Sequence, residues 1–350
     1  MSPSAKPSAI PPFDNHITPD STGHPIPNST GHPAHDPANH PAPDSTLRPA
    51  PPIRHLRRQE IDTTRWDACI SASPNNLLYG HSFYLDSMAA GQWDALVLED
   101  YRAVLPLPWR SRAGIRYLYQ PAFTQQTGIF SPEPITPALV GAFLEQVNRR
   151  YRFAEIYLNY GNGHPSLERR TNFILPLDTS YGQLSGRYKK DLVRNLRTAA
   201  PGLHYLKDFD LQTALRHFQR EYAKRLPAIK EEDYRHFEAL CLLLQQRDQL
   251  LVRAVLDEAG QPLCTAVFLK DKIRFYLLHS TTLPAGRATE ANHFLLDQFI
   301  REYAGSPMVL DFEGSDHPGI AHFYGNFGSI VQPYFFHRHN RLPWPLRLLK

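Results

Sequence analysis

Arg187, Lys190, Arg194 and Arg197 stand at offsets 0, 3, 7 and 10 along one stretch of the chain. On a helix that spacing puts four cations on one face, while Leu192, Leu196 and Ala199 form another. Asp191 is the one acid among them. Such a ridge suits the phosphate of a nucleotide-linked substrate or a tRNA acceptor end. It equally suits the solvated face of an amphipathic helix. Proton transfer has its own candidates. Glu313 directly follows an apolar run at Val309–Phe312 and can take a proton through water. His279 ends another such run, and an imidazole titrates near neutral pH. Asp311 and Asp316 are nearby alternatives. Trp109, Tyr117, Tyr119 and Phe123 form an aromatic set that suits either a substrate cleft or a core.

The elements that must position these residues read as two halves behind a tail. Fourteen of the first 52 residues are proline, STGHP occurs at 21–25 and again at 29–33, and there is almost no apolar residue to bury. Residues 1–56 are therefore expected to be a disordered tail. Its histidines (His16, His24, His32, His35 and His40) fit a transition-metal ligand set or a solvated linker. Folded structure is expected from Arg57. A meander, Trp93–Glu99, Arg102–Trp109 and Ile115–Tyr119, precedes a helix over 136–150 and strands at Phe153–Leu158 and Asn172–Leu177. The order then repeats. Helices at Lys189–Ala200, Leu211–Leu226 and Asp233–Gln246 lead to a meander at Leu250–Asp257, Pro262–Lys270 and Lys272–Ser280. A helix at Thr289–Tyr303, a strand at Met308–Phe312, a short helix at Gly319–Asn326 and a strand at Ser329–His337 follow. The two meanders, DALVLED-Y-RAVLPLPWR and VRAVLDEAGQPLCTAVFLK, run in parallel, which points to duplication of one α/β unit. The expected division is a tail at 1–56, one domain at 57–180 and a second at 181–350. The closing HRHNRLPW at 337–344 is basic and aromatic and is expected to dock the C-terminus.

Composition sets outer bounds. The chain has 350 residues with a net charge of +4. Residues 1–50 are net negative, and the remainder is mildly positive, which fits an anionic ligand but not wholesale nucleic-acid binding. No stretch approaches the roughly 18 apolar residues of a membrane span. Cys69, Cys241 and Cys264 are odd in number and far apart, so neither a disulfide framework nor a zinc site is expected. A reducing cytoplasm is the expected compartment.

Two stretches carry a resemblance. DFEGS at 311–315 followed by GIAHFYGNFG at 319–328 resembles the closing segment of the GNAT acyltransferase superfamily, with Tyr324 and Gly328 at its Y-x-x-x-G spacing. The basic stretch YKKDLVRNLR at 188–197 resembles the segment that opens the second half of Fem-type peptidyltransferases. The resemblance implies an α/β fold (α+β, with mixed sheets), namely two GNAT-like domains in tandem. It implies N-acyl transfer from an acyl-CoA to the amine of a small molecule, sugar or peptide, with no metal. The donor loop would be Thr282–Glu290, with Gly286, Arg287, Ala288 and Asn292 holding the donor. Leu283 stands where the GNAT pattern has Arg or Gln. Fem-type proteins also depart from the pattern here, their donor being aminoacyl-tRNA, so the alternative that the resemblance implies is an aminoacyl-tRNA-dependent peptidyltransferase acting on a cell-wall precursor. Tyr324 would be the general acid, Glu313 or His279 the base, and Lys190, Arg194 and Arg197 a substrate-binding ridge. A non-catalytic, degenerate GNAT protein that binds a ligand is the third reading.

Overall fold

The structure, a computed structural model, describes residues 52–199, 202–314, 316–344 and 347. The first half runs β1 (Ile53–Leu56), α1 (Thr63–Ala72), α2 (Ser82–Met88), β2 (Trp93–Leu98), β3 (Ala103–Arg112), β4 (Ile115–Leu118), α3 (Pro137–Arg150), β5 (Phe153–Leu158), β6 (Glu168–Arg170) and β7 (Phe173–Pro176). The second runs α4 (Tyr181–Ser185), α5 (Lys190–Ala199), β8 (His204–Leu206), α6 (Leu211–Tyr222), α7 (Glu231–Gln246), β9 (Leu250–Leu256), β10 (Pro262–Lys270), β11 (Arg274–Thr282), α8 (Pro284–Arg287), α9 (Ala291–Tyr303), β12 (Val309–Asp311), α10 (Pro318–Gly325), β13 (Ile330–Val331) and β14 (Tyr334–Asn340).

Local chemistry accounts for the clearest elements. The Thr136 hydroxyl accepts from the Leu139 amide, Pro137 starts α3, and Arg149 and Arg150 sit in its last turn, where cations complement the helix dipole. β2 is buried at all six positions. Its side chains alternate between two cores, Trp93, Ala95 and Val97 in one and Leu96 and Leu98 in the other. The first 51 residues, with all five tail histidines, lie outside the described residues. Order begins ahead of Arg57, because Ile53–Leu56 pairs antiparallel with β2. The single closing strand expected at Ser329–His337 is instead two, interrupted at Gln332-Pro333, where proline has no amide to donate.

Each half builds one mixed seven-stranded sheet, in the orders β1-β2-β3-β4-β5-β14-β6 and β13-β7-β12-β11-β10-β9-β8. Read from β8, the second order matches the first position by position, so the duplication is real at the level of topology. The correspondence includes an exchange. β14 crosses into the first sheet between β5 and β6, and β7 crosses into the second between β12 and β13. A division at 180 thus separates two sheets that each hold one strand of the other half. The helices fill three layers. α3 covers the outer face of the first sheet. Residues of α1 and α2 share one continuous core with residues of α6 and α7 between the sheets. α5, α9 and α10 cover the far face of the second.

In the second sheet β11 and β12 are parallel but pair over three positions only, Arg274 with Val309 to Tyr276 with Asp311. β11 runs on to Thr282, whereas the chain beyond Asp311 turns toward β7. The Phe312 amide donates to the Phe173 carbonyl (3.0 Å), and the Gly314 amide to Asn172 Oδ1 (2.7 Å). At the fork, buried Arg274 pairs with buried Asp311. Asp311 also accepts from Asn172 Nδ2 (2.9 Å) and the Glu313 amide (3.0 Å). Replacing Arg274 by Met leaves that carboxylate buried without its cation, a loss on the order of 3–5 kcal/mol. A lowered urea midpoint for Arg274→Met is the expected result, and an unchanged midpoint contradicts the role given to the pair.

Candidate functional site

The fork between β11 and β12 opens beside a cleft of about 350 Å³. α6 supplies Glu221 and Tyr222, and Arg225 follows it. β11 contributes its last residue, Thr282. Gly286 and Arg287 come from α8, Glu290 to His293 from the start of α9, and Ile320, Phe323 and Tyr324 from α10. Tyr324 packs its ring on Phe312 (4.8 Å between centroids, 27° between planes), the residue at which β12 has left β11. The left-handed turn at Gly328 (φ +71°) ends this segment, and a side chain there would collide with Arg187 Cβ at 2.7 Å.

The first turn of α9 has amides without intrahelical acceptors. Its cap residue Glu290 lies in the left-handed region (φ 54°) and makes no side-chain cap bond. The Glu290 carboxylate turns instead to His293, with Oε2 at 2.7 Å from Nδ1. Burial holds the His293 imidazole below its ordinary pKa, and the Glu290 charge partly opposes this. Asn292 is also oriented. Its Oδ1 accepts from Ser280 Oγ (2.5 Å) and from Cys264 Sγ (3.7 Å). Burial pushes the Cys264 thiol up to about 11, so it is a donor, and a thiol accepts only weakly. The amide's oxygen therefore faces this pair, and Asn292 lines the cleft.

The expected donor loop is arranged differently from a phosphate cradle. Pro284–Arg287 forms its own short helix, and α9 starts at Ala291, two residues later than the pattern suggests. Gly286 is required for packing: a Cβ there would stand 2.1 Å from the Leu263 carbonyl oxygen, and its amide already donates to Leu283. Arg287 pairs with Glu221 (3.2 Å). Ala288 follows α8 in helical conformation and does not line the cleft.

Neither expected base lines the cleft. Glu313 is buried in the seam between the halves and accepts a hydrogen bond from Tyr79 of the first half. Burial and the neighbouring Asp311 charge push its carboxyl well above the usual range, so it holds its proton. His279 lies flat on Phe218 (4.2 Å, 15°), and burial drives its pKa down to about 3. Asp311 belongs to the fork, and Asp316 accepts from the Thr171 amide and Arg170. The ridge of Lys190, Arg194 and Arg197 is exposed on α5, outside the cleft, and Arg194 is paired with Asp191 (3.1 Å). Of the aromatic set, Phe123 is core, stacked on Phe237 (4.2 Å), while Trp109 and Tyr119 lie under Arg116 and Arg110. Sequence reading missed Glu290 with His293. Their separation of three on a helix was the available signal. It also missed Glu221, Tyr222 and Arg225, whose approach depends on tertiary packing.

A family model described as an acetyltransferase (GNAT) domain matches residues 187–318. Among solved structures, FemX is similar at 13% identity over 85% of this chain and 99% of its own, with a TM-score of 0.56. A conserved protein of unknown function from Bacteroides thetaiotaomicron VPI-5482 is 10% identical (82% and 99%, TM-score 0.47), and L-PGS from Bacillus licheniformis is 13% identical (82% and 94%, TM-score 0.43). No curated protein sequence matches the chain.

The buried His279 makes one outcome measurable. An imidazole of pKa about 3 in the fold and about 6.5 when unfolded binds fewer protons in the native state between those values, so stability falls as pH drops through that window. Between pH 7 and pH 5 the wild type should lose about 2 kcal/mol more than His279→Phe, read from urea unfolding. Equal losses would show that His279 is not buried in this way. By topology the chain has a tandem GNAT-like fold of the kind seen in FemX, and the acetyltransferase (GNAT) domain model matches residues 187–318 of it.

Proposed function

We propose that this protein is an N-acyltransferase that moves an acyl or aminoacyl group from a carrier to an amine. The observation that carries this reading is the cleft at the fork. β11 and β12 part after three pairs, and the opening meets Asn292, His293 and Tyr324 on a wall that also carries Glu221, Arg225, Arg287 and Glu290 beside Tyr222, Ile320 and Phe323. Asn292 Nδ2, fixed from behind by Ser280 and Cys264, would receive the carbonyl oxygen of the donor as it gains negative charge. A donor set in advance needs no reorganisation in the transition state. Tyr324 would protonate the leaving group, since a phenol of ordinary pKa about 10 carries its proton at neutral pH.

The carrier is the finer question, and the charges at the start of α9 bear on it. A pyrophosphate is favoured at a helix N-terminus because that end is positive. Here the carboxylate of Glu290 occupies the cap position, Glu221 is the second acid on the wall, and Arg287 is engaged by Glu221. Both acids are engaged, Glu221 by Arg287 and Glu290 by His293, and with Arg225 on the same wall the cleft offers no net positive charge to the polyanionic head of an acyl-CoA, so an aminoacyl ester is the donor we favour. Acyl-CoA remains the alternative donor. The exposed cations of α5 would then serve a nucleic-acid carrier's phosphates, a role distinct from the cleft itself.

Calorimetry with acetyl-CoA and filter binding with a charged tRNA pool test this directly. Saturable binding of either supports acyl transfer, and the aminoacyl reading predicts the second at lower concentration. If neither is bound, a non-catalytic binding protein is what remains. Asn292→Asp keeps the shape but replaces the proposed donor by an acceptor. It should lower kcat about 100-fold or more, the usual cost of one lost donor to an oxyanion. Unchanged kcat would remove Asn292 from the chemistry.

A further inference from the structure

We propose that His293 and Glu290 form a proton-accepting dyad in the cleft, in which Glu290 holds Nδ1 and Nε2 takes the proton of the attacking amine. The inference rests on the acyl-transfer reading above and assigns it a base.

The geometry fixes which nitrogen is available. An ionised carboxylate has no proton to give, so the 2.7 Å contact makes Nδ1 the donor and Nε2 the acceptor. His293 lines the cleft with Tyr324 and Asn292, and Nε2 is the ring's one remaining polar atom. The ring cannot easily turn. It packs against Phe323 (4.7 Å between centroids, 47°) and against Phe327 (6.3 Å, 22°), and it is 5% exposed. A base linked to an orienting carboxylate and held beside a general-acid candidate is an arrangement suited to proton transfer. Depression of the imidazole pKa by burial keeps the ring neutral, and so able to accept, at physiological pH. The other charged or titratable groups facing the cleft are Glu221, Tyr222 and Arg225 from α6 and the turn after it, Arg287 from α8, and Tyr324 from α10.

The step balances without a further reactant. The amine nitrogen attacks the acyl carbon, the N–C bond forms and the amine proton passes to Nε2. The tetrahedral species collapses, the bond from the acyl carbon to the carrier's sulfur or oxygen breaks, and the carrier leaves protonated. Tyr324 supplies that proton, and the imidazolium returns one to Tyr324 directly or through water.

The test has two arms on the full chain. In the first, ¹⁵N- and ¹³C-histidine NMR of the free protein, assigned with His293→Ala, reads tautomer and titration. The dyad requires the Nδ1–H tautomer. It also requires a lower pKa in Glu290→Gln, because removing the carboxylate charge removes what holds the imidazolium. An Nε2–H tautomer, or a titration that Glu290→Gln leaves in place, overturns the proposal whatever the activity. In the second arm, transfer from acetyl-CoA or charged tRNA, whichever the wild type uses, is followed against pH with glucosamine and a lysine peptide as acceptors. His293→Ala should lower kcat about 100-fold or more, with donor KM little changed and the acid limb lost, and added imidazole should restore part of the rate. Glu290→Gln should move the acid limb to lower pH. A His293→Ala protein that keeps the acid limb and its kcat within about twofold overturns the dyad. A wild type inactive with both donors counts against the acyl-transfer reading, and the NMR arm still decides the dyad.

Discussion

The parting of β11 from β12 at Asp311 is the constraint on which the second half depends. Two parallel strands with good hydrogen-bonding edges would ordinarily pair along their whole length. Here the chain beyond Asp311 stays with β7, because Phe173 and Asn172 bind the amides of Phe312 and Gly314, while the intervening Glu313 amide is taken by the Asp311 carboxylate. Asp311 itself is pinned by Arg274 and Asn172. The strand is thus drawn off by the first half rather than pushed apart by a ligand. Tyr79, another residue of the first half, closes the seam behind the fork by its bond to Glu313. The cleft on the α9 and α10 side stays open because its walls are held from outside.

This explains why two residues that look chemical in sequence are structural. Glu313 and His279 sit on the face of the second sheet that is covered by the shared core of α1, α2, α6 and α7, and both are buried. Burial acts on both but in opposite directions, keeping the proton on the carboxyl and off the imidazole. The cleft lies at the end of β11, lined by the end of α6, by α8, by the start of α9 and by α10. Positioning is therefore assigned to rigid elements, and orientation to second partners. Ser280 and Cys264 set Asn292, and Glu290 sets His293.

Much of the architecture was legible because it is written in local periodicity. The two meanders, the helix at 136–150 and the order of the second half all follow from alternation and helical spacing, and the Y-x-x-x-G segment ends where Gly328 needs a positive φ. What could not be read was anything decided by distant contact. Gly286 looked like a phosphate-loop glycine, yet the Leu263 carbonyl is what excludes a side chain there. Arg287 looked free for an anion until Glu221, 66 positions earlier, was brought beside it. The short strands β6 and β8 have no pattern long enough to detect, and their pairing partners make them strands. Tyr324, recognised only through resemblance, does line the cleft.

The crossing of β7 and β14 has a further consequence for how the chain is made. β14 stands between β5 and β6, so the first sheet has a gap at its sixth position until residues 334–340 have left the ribosome, long after everything else in that sheet has been synthesised. β7, by contrast, is ready early and waits for β12. During translation the nascent first half must therefore carry an unpaired β5 edge, a surface open to the wrong partner, and maturation of both halves is completed in one late event rather than in sequence.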